Sequence, residues 1–364
     1  MKVKVGSNIA SLVPYQPGKP VEELQREMGL SHIVKLASNE NPFGPSPMAV
    51  DAIRQAAAEV HFYPDGDAFL LKARLSRHLN VPGDRLLLSN GSNEAIHLIV
   101  RTFYEPGCHA VVGAHAFVMY KLVCIAAGMD YTEVPSPGLC FDLAGMAAAI
   151  RPETRFVFLI NPNNPTGTYF SRTAFEAFME KVPAEVFVVL DEAYFEFVGR
   201  DDYPDGTTYI DRYPNLMVLR TFSKCYGLAG LRMGYSIMSP ELAGYVNRLR
   251  DPFNVNLVAQ KAAVAALDDV EFLRKVITHT QAEREAMATG VRALGLEAMD
   301  SVGNFILMRL PRSGQEVFQA LLREGVIVRP MGGYGLPDYI RVSVGLRDEN
   351  ATFLAALARV MAAF

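Results

Sequence analysis

The sequence predicts an α/β protein: a large domain built on a mostly parallel sheet, followed by a smaller α+β C-terminal domain. Three observations lead there. From Met48 onward, short β-rich runs alternate with helical stretches, the pattern of βαβ units and a parallel sheet. After Asp251-Pro252 the texture changes to a long helical run and then a few strands and helices. At 364 residues the chain is also too long for one minimal core, so two domains are expected.

Taken in order, residues 1–28 read as an N-terminal arm. Pro14, Pro17, Gly18 and Pro20 interrupt regular structure there, and a short helix is predicted over 21–28. Residues 29–250 form the large domain, with strands predicted at 85–88, 109–112, 156–160, 186–190, 216–219 and 234–238. Residues 251–364 form the small domain. It has a helical stretch over 257–293, a strand near 304–309, a helix near 315–324, strands near 326–329 and 339–344, and an amphipathic helix over 347–363.

Composition narrows the function. Half of the residues are hydrophobic and 20% are charged, ordinary values for an enzyme. A net charge of -4 without a basic run speaks against nucleic acid and anionic membranes as partners. No apolar run is long enough to span a bilayer. The start, MKVKVGSNIASLVPYQPGKP, lacks the features of a signal peptide. The four cysteines form no C-x-x-C pair, which suggests reduced thiols and a cytoplasmic protein. The seven histidines have no metal-ligand spacing, so no metal is expected.

In open α/β sheets ligands bind beyond the carboxyl ends of the strands, so the residues that follow each strand matter most. SNGSNE (89–94) leads into a helix and suits either a phosphate or plain capping. NPNNPTG (161–167) is a rigid polar turn in which Asn164, held extended by the following proline, has a fixed aim. In DEAY (191–194), Asp191 ends the apolar run VFVVL and needs a cation, either in an ion pair or on a bound cofactor. TFSKCYGLAGLRMGY (221–235) offers the hydroxyls of Thr221 and Ser223, the amine of Lys224 and the guanidinium of Arg232. Gly227 and Gly230 would let its backbone approach a ligand. Together these are the groups pyridoxal phosphate requires: a lysine, an acid for the ring nitrogen, and donors for the phosphate.

The sequence resembles the fold-type I pyridoxal-phosphate aminotransferases and, within them, the histidinol-phosphate aminotransferase group. The resemblance rests on LASNENPFGPSP, FYPDGDAF, SNGSNEAI, NPNNPTG, LDEAYFEF, SKCYGLAGLRMGY and VIVRPMGGYGLPDYIRVSVG, which run through nearly the whole chain. It implies that Lys224 carries the cofactor and that Asp191 keeps the pyridine nitrogen protonated. Tyr194 and Asn164 would bond the ring oxygen. Ser92, Asn93, Thr221, Ser223 and Arg232 would hold the phosphate. Phe117 would stack on the ring, without the hydroxyl of the tyrosine that many relatives carry there. Arg329 and Arg341, with Tyr15, Asn41, Tyr63 and Asn164, would bind substrate. Tyr63 would reach into a neighbouring subunit, making a homodimer with shared sites. The implied reaction moves an amino group between L-histidinol phosphate and 2-oxoglutarate. An aromatic amino-acid aminotransferase and a threonine-phosphate decarboxylase-like lyase stay open. A ligand-sensing regulator is disfavoured, because no helix-turn-helix segment is left over.

Overall fold

The structure, a computed structural model, describes residues 3–14, 18–30 and 32–364. Its central sheet follows from the apolar runs. FVFLI, FVVL and LMVL are buried on both faces, as strands covered by helices on each side must be. Alternate residues feed alternate faces. Val157, Leu159, Val188, Leu190 and Val218 pack with Phe175 and Phe178 on one side. Phe156, Phe158, Val189, Met217 and Leu219 pack with Ile96 and Ile99 on the other.

Among the described residues this sheet has seven strands, in the order Leu86–Ser89, Gly234–Ile237, Leu216–Thr221, Phe187–Asp191, Thr154–Ile160, His109–Gly113, Asp130–Val134. Only Gly234–Ile237 runs antiparallel to its neighbours; the remaining pairs are parallel. The strand Asp130–Val134 carries no apolar run that would reveal it. It lies at the sheet edge and is mostly polar and solvent-facing, as edge strands commonly are.

A second sheet, antiparallel, has the order Arg329–Pro330, Tyr339–Ser343, Phe305–Arg309, Glu297–Ala298. The helices Val270–Ala293, Gly314–Arg323 and Arg347–Ala362 share its core. The helix Val21–Met28 docks on the same unit through Leu24, which packs with Ala37, Leu322 and Ile327.

Three segments differ in detail from the elements expected of the sequence. The helical stretch 257–293 is two helices, Leu257–Asp268 and Val270–Ala293, parted at Asp269, whose side chain caps the second through the Phe272 N–H. The first of them lays Ala259, Ala262, Ala263 and Ala266 into the same core as Val157, Leu159 and Val188 of the central sheet. Val34–Lys35, assigned by sequence to the large domain, pairs with Val326–Ile327, and Val34 and Leu36 join the core of the small one. The run 326–329 is also two strands: after Val326–Ile327 the chain crosses to the antiparallel sheet, where Arg329 lies directly opposite Arg341. The break at Asp269 is local, but the packing of Leu257–Asp268 and the strand pairings depend on partners far away in the chain, which sequence texture cannot show.

Candidate active site

The carboxyl ends of the central strands surround a cavity of about 180 Å³. Its lining includes Ser92, Asn93, Phe117, Asn164, Asp191, Tyr194, Thr221, Ser223, Lys224 and Arg232 from the large domain, and Arg329 and Arg341 from the small one. Folding thus gathers residues from five strand ends and from the second sheet into one space.

One end of the cavity is built for an anion. The helix Ser92–Phe103 presents its N-terminus, with Ser92 and Asn93 at the lining, so free N–H groups and the positive end of the helix dipole face inward. The approach is close: a Cβ at Gly234 would fall 2.6 Å from the Ser92 nitrogen, and one at Gly91 2.5 Å from Nη2 of Arg232. Thr221 Oγ1 accepts from the Ser223 N–H at 3.1 Å and donates to the Met233 carbonyl at 3.3 Å, which fixes the turn that bears Ser223 and Lys224.

Asp191 is 4% exposed. Tyr120 donates its hydroxyl to Oδ2 at 2.7 Å, and the Ala193 N–H donates to Oδ1 at 3.0 Å. Burial pushes the carboxyl pKa up, against the pull of those two donors and of Lys224. A cationic ring nitrogen is the partner such a carboxylate suits. The ion pair weighed for Asp191 occurs one residue on: Glu192, 0% exposed, receives Nε and Nη2 of Arg220 on Oε2 at 3.0 and 2.8 Å.

Lys224 is partly buried and donates from Nζ to the Ser38 carbonyl at 3.2 Å. Burial first, then the charges of Arg341 and Arg232, push its amine pKa down to about 8, with Glu40 and Asp191 opposing. The phenol of Tyr194 is pushed up to about 12 by burial, although Arg341 and the Asn39 hydrogen bond act the other way. It therefore stays protonated at neutral pH and can donate. Asn164 accepts from Nη1 of Arg341 at 2.5 Å, which leaves its amide nitrogen as the donating end. Arg341 also donates to the Ala37 carbonyl at 2.7 Å.

Two expected residues do not line this cavity. Asn41 does not line the cavity. Both ends of its amide are used by the backbone, Nδ2 donating to the Cys225 carbonyl at 2.8 Å and Oδ1 accepting from the Phe43 N–H at 3.0 Å, so it braces the turn that carries Lys224. Tyr63 is 82% exposed and stacks on Phe253 at 4.8 Å, outside this chain's own cavity. Tyr15 lies outside the described residues. Gly227 meets protein rather than ligand: a Cβ there would fall 2.2 Å from the Gly44 carbonyl oxygen, while Gly230 faces open space. Sequence reasoning missed Tyr120, Asn39 and Tyr334. Tyr120 follows Phe117 by one helical turn in HAFVMY, the only local signal available. Asn39 has a φ of 54° and donates from Nδ2 to the Tyr194 hydroxyl at 3.0 Å.

The constellation fits pyridoxal phosphate: an anion cup, a lysine with a lowered pKa, a buried carboxylate and two donors to a ring oxygen within one cavity. The family model "Aminotransferase class I and II" matches residues 31–357. The chain belongs to that family. It is 48% identical over 361 residues to a histidinol-phosphate aminotransferase of Anaeromyxobacter sp. (strain Fw109-5), covering 99% of both chains. To histidinol-phosphate aminotransferase 2 of Pseudomonas aeruginosa it is 50% identical, over 97% of this chain and 96% of that one. Among solved structures, the aminotransferase superposes on histidinol-phosphate aminotransferase from Sinorhizobium meliloti, in complex with pyridoxal-5'-phosphate, with a TM-score of 0.92 and 31% identity, covering 100% and 99% of the two chains. An aspartate aminotransferase from Thermus thermophilus shares the fold at a TM-score of 0.85 and 21% identity.

Among the described residues, no group of three or more His, Cys, Asp or Glu side chains could hold a metal ion, and no helix is long and apolar enough to cross a membrane.

Proposed function

We propose that this aminotransferase exchanges the amino group between L-histidinol phosphate and 2-oxoglutarate, giving imidazole-acetol phosphate and glutamate, in histidine biosynthesis. The observation that carries the substrate is the register of the second sheet. It sets Arg329 opposite Arg341, and both line the cavity that holds Lys224 and Asp191. Two guanidinium forks suit a phosphate dianion, since each donates charge-assisted hydrogen bonds, and the same pair can take a carboxylate of 2-oxoglutarate. The names of the most similar relatives support this choice.

When bound, pyridoxal phosphate supplies an aldehyde that captures amines and a ring that stores the electron pair released at Cα. Lys224 would be the nucleophile that holds it and the base that accepts the Cα proton. Asp191, fixed by Tyr120 and Ala193, would keep the ring nitrogen protonated. Tyr194 and Asn164 would donate to the ring oxygen, and Phe117 would pack on the ring. Ser92, Asn93, Thr221, Ser223 and Arg232 would hold the phosphate. Arg329 and Arg341 orient the substrate.

The working unit we propose is a cytoplasmic homodimer in which Tyr63 completes the partner's site. The exposure of Phe62, Tyr63, Phe69 and Leu70 along one short segment supports a covered face. The free cysteines, three of the four buried, support a reducing compartment.

The test compares kcat/KM for L-histidinol phosphate and L-phenylalanine, each with 2-oxoglutarate. A preference of at least about 100-fold for the phosphate ester is expected, the worth of two charge-assisted hydrogen bonds. Equal values, or a preference for phenylalanine, would reassign the protein to the aromatic aminotransferases. Carbon dioxide release from threonine phosphate would reassign it to the lyases.

A further inference from the structure

The loop after the strand His109–Gly113 contains a residue to which none of the roles above applies. His115 has a φ of 55°, an uncommon backbone conformation for a residue with a Cβ. Its ring bridges the two domains: Nδ1 lies 2.6 Å from the Tyr334 carbonyl oxygen. A carbonyl only accepts, so Nδ1 carries the proton and donates. The same ring lies against Gly335, where a Cβ would sit 3.6 Å from its Cε1. The His115 carbonyl, in turn, accepts from Asn163 Nδ2 at 3.3 Å. One residue thus ties together three segments that line the cavity: the loop bearing Phe117, the turn bearing Asn164, and the turn bearing Tyr334.

The last of these is anchored at its two ends, where Met331 and Leu336 are buried, and is closed by its own backbone hydrogen bonds; His115 adds the contact to the opposite loop. Gly332–Tyr334 is a single short turn within MGGYG, between the strands that carry Arg329 and Arg341. Three glycines in five residues leave this segment many alternative conformations. It also occupies a boundary. Tyr334 and Arg329 line both the inner cavity and an adjoining outer cavity of about 840 Å³, whose wall includes Val118, Phe318 and Pro337.

We propose that His115 is a positioning residue for substrate: it clamps the Tyr334 turn to the cofactor-side loop and so shapes the wall between the outer cavity and the two arginines. It touches no reacting atom. The proposal rests on the aminotransferase reading above and adds to it the element that sets substrate affinity.

Two substitutions separate the clamp from backbone strain. His115→Gly removes the ring and suits a positive φ; His115→Asn keeps a short donor and also tolerates that backbone. In the holoenzyme, His115→Gly should raise KM for both the amine donor and 2-oxoglutarate about five- to tenfold, the worth of one hydrogen bond. It should leave kcat within about twofold and the cofactor absorbance unchanged, because no group on the cofactor is lost. His115→Asn should recover most of the KM. Hydrogen exchange at residues 331–336 should be faster in the Gly variant than in the unsubstituted protein.

Unchanged KM or unchanged exchange in His115→Gly would overturn the proposal. So would an Asn variant no better than Gly, or a fall in kcat with an altered cofactor spectrum. Faster exchange in the Gly variant of a protein that transaminates no amine donor would sink the transaminase reading, and with it the substrate role, while the contact itself stood.

Discussion

Lys224 shows how surroundings convert an ordinary side chain into a reactive one. A lysine amine in water titrates near 10.4; here burial and two guanidinium groups bring it to about 8. Only the neutral amine attacks an aldehyde. In the cofactor-free protein, the rate of reaction with pyridoxal phosphate should therefore rise with pH and reach half its maximum near pH 8. Stopped-flow absorbance checks this, and a midpoint above 10 would mean the amine is not perturbed. The sequence pointed to this residue because a lysine among small and apolar neighbours needs a reason. It could not show that the largest effect after burial comes from Arg341, 117 positions away. Asp191 was legible in the same way, as a carboxylate ending an apolar strand. Its donor Tyr120 was not, because the pairing joins a helix to a strand 71 residues later.

The catalytic turn is held by its neighbours rather than by its own hydrogen bonds alone. Gly227 has a φ of 70° and packs on the Gly44 backbone, and Asn41 from the same ENPFG segment grips the Cys225 carbonyl. Gly227→Ala should cost about 2–4 kcal/mol, combining overpacking against rigid backbone with a disfavoured left-handed residue. Urea unfolding of the purified variant measures that loss, and a loss below 1 kcal/mol would show that the loops separate freely. Beneath the turn, Arg220 lies 3% exposed on the strand Leu216–Thr221, bonded to Glu192 and to Asp205 and stacked over Phe195 at 3.5 Å. Arg220→Ala leaves the buried Glu192 unpaired and should destabilise by about 3–5 kcal/mol, read as a lowered urea midpoint. Both sequence segments were noticed as motifs. Their contacts with each other were not, since a glycine in a motif does not say which surface it must approach.

The two domains enclose the cavity between them, so substrate binding depends on how they pack. Asp191, Lys224 and Arg232 reach the cavity from the central sheet and its loops, and Arg329 and Arg341 from the antiparallel sheet. If Tyr63 serves a partner's cavity, then Lys224→Ala and Tyr63→Ala homodimers should each be impaired. Mixing them under exchange conditions should restore activity, because one of the two sites in a mixed dimer keeps both residues. An activity assay on the mixture checks this, and no recovery despite proven subunit exchange would place Tyr63 outside the site.

By itself the sequence determined the architecture and the strand ends that matter, because these follow from local periodicity and from chemistry carried on short segments; of the residues lining the cavity it indicated Lys224, Asp191 and Asn164 in this way, Phe117, Arg329 and Arg341 only through the family resemblance, and Ala37, Ser38, Asn39 and Tyr334 not at all. The core that Val34 and the helix Leu257–Asp268 each join is visible only in three dimensions, because a helix or strand packs on whichever core accepts its apolar face. The tertiary structure alone decided that Arg329 faces Arg341, that Asn41 braces a turn, and that His115 reaches the Tyr334 turn. Each of these is a contact between segments far apart in the chain, and its geometry is set by packing rather than by the residues on either side.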